Sequence, residues 1–156
     1  MPKLREKRAR EFVKKGKTIR QVAVLPYRER DGELEFLLMT SRQTKRFVLP
    51  KGWPMKGKDD AKAAAVEAEQ EAGLVGEVAA EPHGSYSYWK RLKTIFVPIT
   101  VSVYPMRVTD ERKKFRESNQ REKAWVKPGH ARMLVDEPDL ITLLASFEQE
   151  FAKAIT

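Results

Sequence analysis

Residues 52–74 read GWPMKGKDDAKAAAVEAEQEAGL, and this stretch decides the fold. A turn, Pro50-Lys51-Gly52-Trp53, runs into an alanine-rich segment whose composition favours helix and allows close packing beneath a sheet. Lys58, Asp59 and Asp60 mark the helix start, with the aspartates placed to cap it and to meet the positive end of its dipole. Gly73 fits the C-cap. Glu67, Gln70 and Glu71 recur at spacings of three and four, so they share one helical face. Two carboxylates and an amide there are oxygen donors for a hard cation such as Mg²⁺. The plainer alternative is a solvated acidic helix end.

Strand signals lie on both sides of this helix. Upstream, TIRQVAVLPY and LEFLLMTS flank an Asp31-Gly32 pair, which reads as a hairpin. FVLP, residues 47–50, reads as a short third strand ended by Pro50 and Gly52. Downstream come LVGEVAAE, GSYSYWK, KTIFVPITVSVYPM and KAWVK, followed by a short helix. A last helix begins near residues 136–138, and Leu140, Leu144, Phe147 and Phe151 recur along it at the spacing of a core-facing stripe. The order of elements predicts an α/β fold, a mixed β-sheet sandwiched between helices.

Composition bounds the rest. At 156 residues with 41% apolar content the chain is long enough for one domain with one good core. Without cysteine it has neither disulfides nor thiolate chemistry. Ile95 to Val103, the longest apolar run, is too short to span a bilayer, and no apolar signal region opens the chain. A cytoplasmic protein with no membrane partner is expected. The net charge is +9, of which residues 1–17 carry +6, from eight basic and two acidic side chains. The expected organisation is therefore a basic N-terminal tail, 1–17, and a domain, 18–156. Such a tail can touch RNA, a membrane surface or a polyanion, or simply be solvated; the solvated reading is preferred.

The central stretch resembles the box of the Nudix hydrolases, G-x5-E-x7-R-E-U-x-E-E-x-G-U with U aliphatic. Gly52, Glu67, Glu71, Gly73 and Leu74 match it without gaps. Lys58 stands for the first glutamate, Val66 for the arginine, Gln70 for one of the paired glutamates and Ala68 for the inner aliphatic. The flanks SRQTKRFVLPKGW, QREKAWV and LVDEPDL are similar to the diphosphoinositol-polyphosphate and dinucleoside-polyphosphate branch.

The resemblance implies a Nudix α/β/α sandwich and a Mg²⁺- or Mn²⁺-dependent hydrolase of phosphoanhydride bonds. It implies Glu67 and Glu71 as metal ligands, with a backbone carbonyl around Lys51-Gly52 as a further ligand. Gln70 occupies the place of a general base, a role glutamine cannot fill; Glu117 and Glu122 are the alternative bases from another loop. Lys58 and Val66 replace both members of an ion pair, so neither charge is stranded. Arg20, Ser41, Arg42, Arg46, Lys51, Lys90 and Lys93 are the expected polyphosphate contacts, because guanidinium forks and lysine point charges suit phosphate. Tyr88 and Trp89 either stack a base or pack a strand edge. The small-molecule substrate is then a dinucleoside polyphosphate or a diphosphoinositol polyphosphate. Two other readings stay open: a Nudix-fold binding or regulatory protein with weak or lost turnover, and an RNA 5′-end pyrophosphohydrolase using the basic tail.

Overall fold

The computed structural model describes residues 5–42 and 44–154; residues 1–4 of the basic segment, Gln43 and residues 155–156 lie outside them. The hairpin forms where Asp31-Gly32 places it: both residues have positive φ (54° and 78°), and β1 (Ile19–Arg30) pairs antiparallel with β2 (Glu33–Thr40). Side chains alternate across the sheet. Val22, Val24, Leu37 and Met39 join one core cluster, while Ala23, Leu25, Phe36 and Leu38 join another on the opposite face.

Beyond the hairpin β1 and β2 diverge, and residues 47–52 fill the wedge. The strand expected at 47–50 is shorter, and a second short strand follows just beyond it. β3 (Phe47–Val48) pairs with β2, and β4 (Lys51–Gly52) pairs with β1. Pro50 lies between them with no N–H to give a ladder, and its carbonyl accepts from the Val24 amide at 3.1 Å.

Helix α2 (Asp60–Ala72) covers one face, its Ala61, Ala63, Ala64, Ala68 and Ala72 buried and the helix packed on β1 and β4. β5 (Leu74–Val78) and β6 (Gly84–Arg91) both pair antiparallel with the long β7 (Phe96–Glu111), which runs parallel to β1. β7 extends past Met106, where its sequence signal ends, because β5 continues to pair with it across a bulge at Val75-Gly76. β8 (Lys123–Val126) closes the other edge on β2. α3 (Pro128–Leu134) and α4 (Pro138–Ala154) cover the second face through Ala131, Leu140, Leu143, Leu144 and Phe147, with Phe151 half-buried beside them. The described residues thus form a mixed eight-stranded sheet between helical layers, the α/β sandwich expected. None of their helices is long and apolar enough to cross a membrane.

The basic segment differs from a solvated tail. Residues Glu6–Lys14 form a helix, α1, with Ala9 fully buried and Phe12 packed on the core. The Glu6 carboxylate accepts from the amide and hydroxyl of Thr94 (2.6 and 2.5 Å), and Arg10 donates to the same hydroxyl at 3.1 Å. Ala9 and Phe12, three apart, give the segment one apolar edge, which is enough to dock it.

Candidate active site

The site begins with the two ends of α2. Asp59 caps the helix, its Oδ1 accepting from the Lys62 amide at 2.8 Å, and Gly73 ends it in the left-handed conformation at φ 70°. Alanines between these ends bring the helix axis close to the sheet. Glu67 and Glu71 lie on that sheet-facing side and are each only 3% exposed.

Lys51-Gly52 receives them both. A Cβ at position 52 would overlap the Cγ, Cδ and Oε1 of Glu67, so only glycine leaves room for that carboxyl. Glu71 Oε1 accepts from the Lys51 amide at 3.0 Å. Burial raises the proton affinity of both carboxyls, and that of Glu71 is pushed up to about 7. The neighbouring Glu67 adds to the Glu71 shift, while Arg121 and the Lys51 amide oppose it. Glu67 Oε2 is buried with no hydrogen-bond partner. An orphaned carboxylate oxygen beside a second buried carboxyl fits a divalent cation, which would satisfy both. No three His, Cys, Asp or Glu among the described residues stand at metal-ligating spacing. This donor set suits Mg²⁺, which is usually held by one or two carboxylates plus water and substrate phosphate.

A second layer comes from the segment between β7 and β8. Glu117, 7% exposed, has its amide bonded to the Gln70 carbonyl at 3.0 Å. Its Oε1 lies 2.9 Å from Arg121 Nε and 3.8 Å from Arg42 Nε. Arg121 Nη2 in turn stands 3.8 Å from Glu71 Oε2. Of the two alternative bases, Glu117 is therefore brought to the pair. Glu122 is exposed, and its backbone bonds Thr40 at the end of β2. Gln70 sits half-buried on the adjoining turn of α2.

The expected phosphate contacts divide. Lys51 Nζ lies 5.2 Å from the centre of the Tyr88 ring, whose hydroxyl donates to Gln21 at 2.6 Å. Burial pulls the Lys51 ammonium down to about 8, and burial with the nearby Arg42 charge lowers Lys90. Ser41 and Arg46 share a tight loop, the Ser41 hydroxyl accepting from the Arg46 amide at 3.0 Å, and Arg46 reaches Asp136 and Glu137 at 3.5 and 3.9 Å. Lys51 thus touches the carboxylate pair and Arg42 reaches Glu117 beside it, while Lys90 adds charge near Lys51, Arg46 adds charge near Tyr88, and Ser41 shapes the Arg46 loop.

Two expected contacts lie elsewhere. Arg20 is forked onto Asp60 (2.6 and 3.4 Å) at the opposite end of α2 from Glu71. Lys93 is exposed in the turn between β6 and β7, next to the Thr94 that holds α1. Tyr88 lies beside Lys51, whereas Trp89, the next residue on the strand, is 67% exposed.

Arg121 and Glu137 join the site without a signal in the sequence: both lie in stretches, QREKAWV and LVDEPDL, whose dense charge reads as solvated. Yet Arg121's side chain is 9% exposed and Glu137's 11%, and Glu137 Oε2 is buried without a partner.

Solved structures with this architecture include an Ap4A hydrolase of C. elegans, caught as a binary complex, at a TM-score of 0.64 and 20% identity over 87% of this chain and 99% of that one. The chain has the Nudix fold. A Nudix hydrolase from Nitrosomonas europaea superposes at 0.64 with 16% identity over 86% of this chain and 90% of its own. The Nudix domain of Shewanella oneidensis NrtR, complexed with ADP ribose, superposes at 0.60 with 12% identity over 98% and 100% of the two chains. No protein-family model and no curated protein sequence matches the chain. In this Nudix fold Gly52 is the glycine beneath Glu67, and Gly73 is the one that ends the helix.

Proposed function

We propose that the chain is a Nudix hydrolase that cleaves phosphoanhydride bonds of a highly anionic substrate, with Mg²⁺ or Mn²⁺ held by Glu67 and Glu71. The observation that carries this reading is the buried carboxylate pair over Gly52, one of its oxygens unpartnered. When bound, the metal supplies Lewis-acid stabilisation of the phosphoryl oxygens and a lowered pKa for a ligated water. The chain's own residues do the remainder. Arg42, Arg46, Lys51 and Lys90 hold the phosphates, and the Ser41 loop fixes where Arg46 starts. Water attacks phosphorus, its P–O bond to the bridging oxygen breaks, and the leaving phosphate departs as an anion into that cationic border. Glu117 takes the attacking water's proton, the part Gln70 cannot play. Dinucleoside polyphosphates and diphosphoinositol polyphosphates are the substrate classes the charge favours.

Gln70 favours a second reading, a Nudix-fold protein that binds such a ligand without turning it over. One experiment separates the two: phosphate or nucleotide release from a panel of polyphosphates with Mg²⁺, beside Glu71→Gln. Turnover that Glu71→Gln abolishes supports the hydrolase. Metal-dependent binding without turnover supports the binding protein. Turnover unchanged in the variant overturns the assignment of Glu71.

A further inference from the structure

We infer that Arg121 is the positioning residue of this site, a buried guanidinium that sets Glu71 and Glu117 relative to each other from outside the box. The inference rests on reading Glu67 and Glu71 as the metal carboxylates.

Helix α2 offers its own carboxylates no cation: after Lys62, which is exposed, it carries no basic side chain, and Val66 precedes Glu67. Arg121 supplies one from the far side. Its three nitrogens point to three different partners. Nε donates to Glu117 Oε1 at 2.9 Å, Nη1 to the Thr40 carbonyl at 3.2 Å, and Nη2 lies 3.8 Å from Glu71 Oε2. The first two are hydrogen bonds. The third is a charge contact beyond hydrogen-bond distance, so it orients the carboxylate without consuming the lone pair a cation needs.

The guanidinium is itself held still. Glu117 is tied to α2 by its amide on the Gln70 carbonyl, and the Gln120 amide donates back to the Glu117 carbonyl at 3.0 Å. On the other side, Thr40 and Glu122 exchange two bonds, from the Thr40 amide to the Glu122 carbonyl at 2.9 Å and from the Glu122 amide to the Thr40 hydroxyl at 3.0 Å. Arg121 therefore joins three elements, the end of β2, the β7–β8 connection and the last turn of α2. A planar fork can satisfy three directions at once; a lysine ammonium at the same place keeps the charge and loses that geometry.

Mn²⁺ binding to the full chain, followed by electron paramagnetic resonance with circular dichroism as the check on folding, tests this. Partners that orient metal ligands typically contribute about 10–100-fold in affinity, so wild type binds Mn²⁺ while Arg121→Lys and Arg121→Leu bind it weaker by that order. Arg121→Lys, with its charge intact, carries the test should Arg121→Leu not fold. Recovery of Mn²⁺ affinity in Arg121→Ala on adding millimolar guanidinium supports the same role. Wild type that binds Mn²⁺ alongside a folded Arg121→Lys of equal affinity overturns the inference alone. A change confined to the KM for substrate also overturns it, since Arg121 would then act on the phosphates. A wild type that binds no Mn²⁺ overturns the metal reading and this inference with it.

Discussion

Replacing Gly52 with alanine tests how closely the site is built. The added Cβ would stand 2.7 Å from Glu67 Cγ and 2.5 Å from Oε1. Carbon atoms rest at about 3.5–4 Å, so the Glu67 side chain must withdraw by about 1 Å. It cannot simply swing its tip away, because Cγ is struck as well as the carboxyl. Nor can α2 move back cheaply, with Ala64 and Ala68 fully buried on either side of Glu67. Forcing a methyl into such packing costs about 1–3 kcal/mol, which lowers Tm by roughly 2–12 °C in a chain of this size. The catalytic effect is larger: a misplacement of about 1 Å can cost on the order of 10²-fold in rate. The assay is Mg²⁺-dependent phosphate release with Tm measured on the same samples. Gly52→Ala with wild-type rate and wild-type Tm would show that Glu67 does not nest against residue 52.

Other perturbations have equally definite outcomes. Glu117→Gln lowers kcat by about 10²–10⁴-fold with KM little changed, as expected on losing a general base, whereas Glu122→Gln leaves steady-state kinetics unchanged. Metal-free protein loses stability as pH rises, because Glu71, raised from 4.5 to about 7, holds its proton more tightly folded than unfolded. The contribution is full below pH 4.5 and is lost as pH passes about 7, at no more than about 1.4 kcal/mol per pH unit. Saturating Mg²⁺ removes that decline in thermal melts, and apparent Mg²⁺ affinity rises across the same window because the ligand must lose its proton. Arg20→Ala leaves KM for polyphosphate unchanged while Arg42→Ala raises it, since Arg20 is forked to Asp60 at the other end of α2. Deleting residues 1–17 lowers Tm, the result of uncovering the surface under Ala9 and Phe12.

The parts of this molecule legible in the sequence are those set by local physics. Asp31-Gly32, the Asp59 cap, the alanine face and Gly73 each act within a few residues, and each forms the turn, cap or packing surface its chemistry predicts. The parts that were not legible depend on distant segments. FVLP keeps only β3, and the next two residues form β4 on a different strand, because β1 and β2 diverge, a fact no short window contains. The basic segment reads as solvated because its eight basic side chains outweigh Ala9 and Phe12, yet two apolar contacts and three hydrogen bonds to Thr94 dock it. Arg121 and Glu137 sit in charged stretches whose sequence does not distinguish a buried charge from a surface one. Arg20, by contrast, is placed among the phosphate contacts by family resemblance alone, while its partner Asp60 is forty positions away.

The most direct test of the central claim is anomalous diffraction from crystals soaked in Mn²⁺. A peak is expected between the carboxylates of Glu67 and Glu71, within bonding distance of Glu67 Oε2, and it is lost in Glu71→Gln. A peak elsewhere on the chain, with none at this pair, would contradict it.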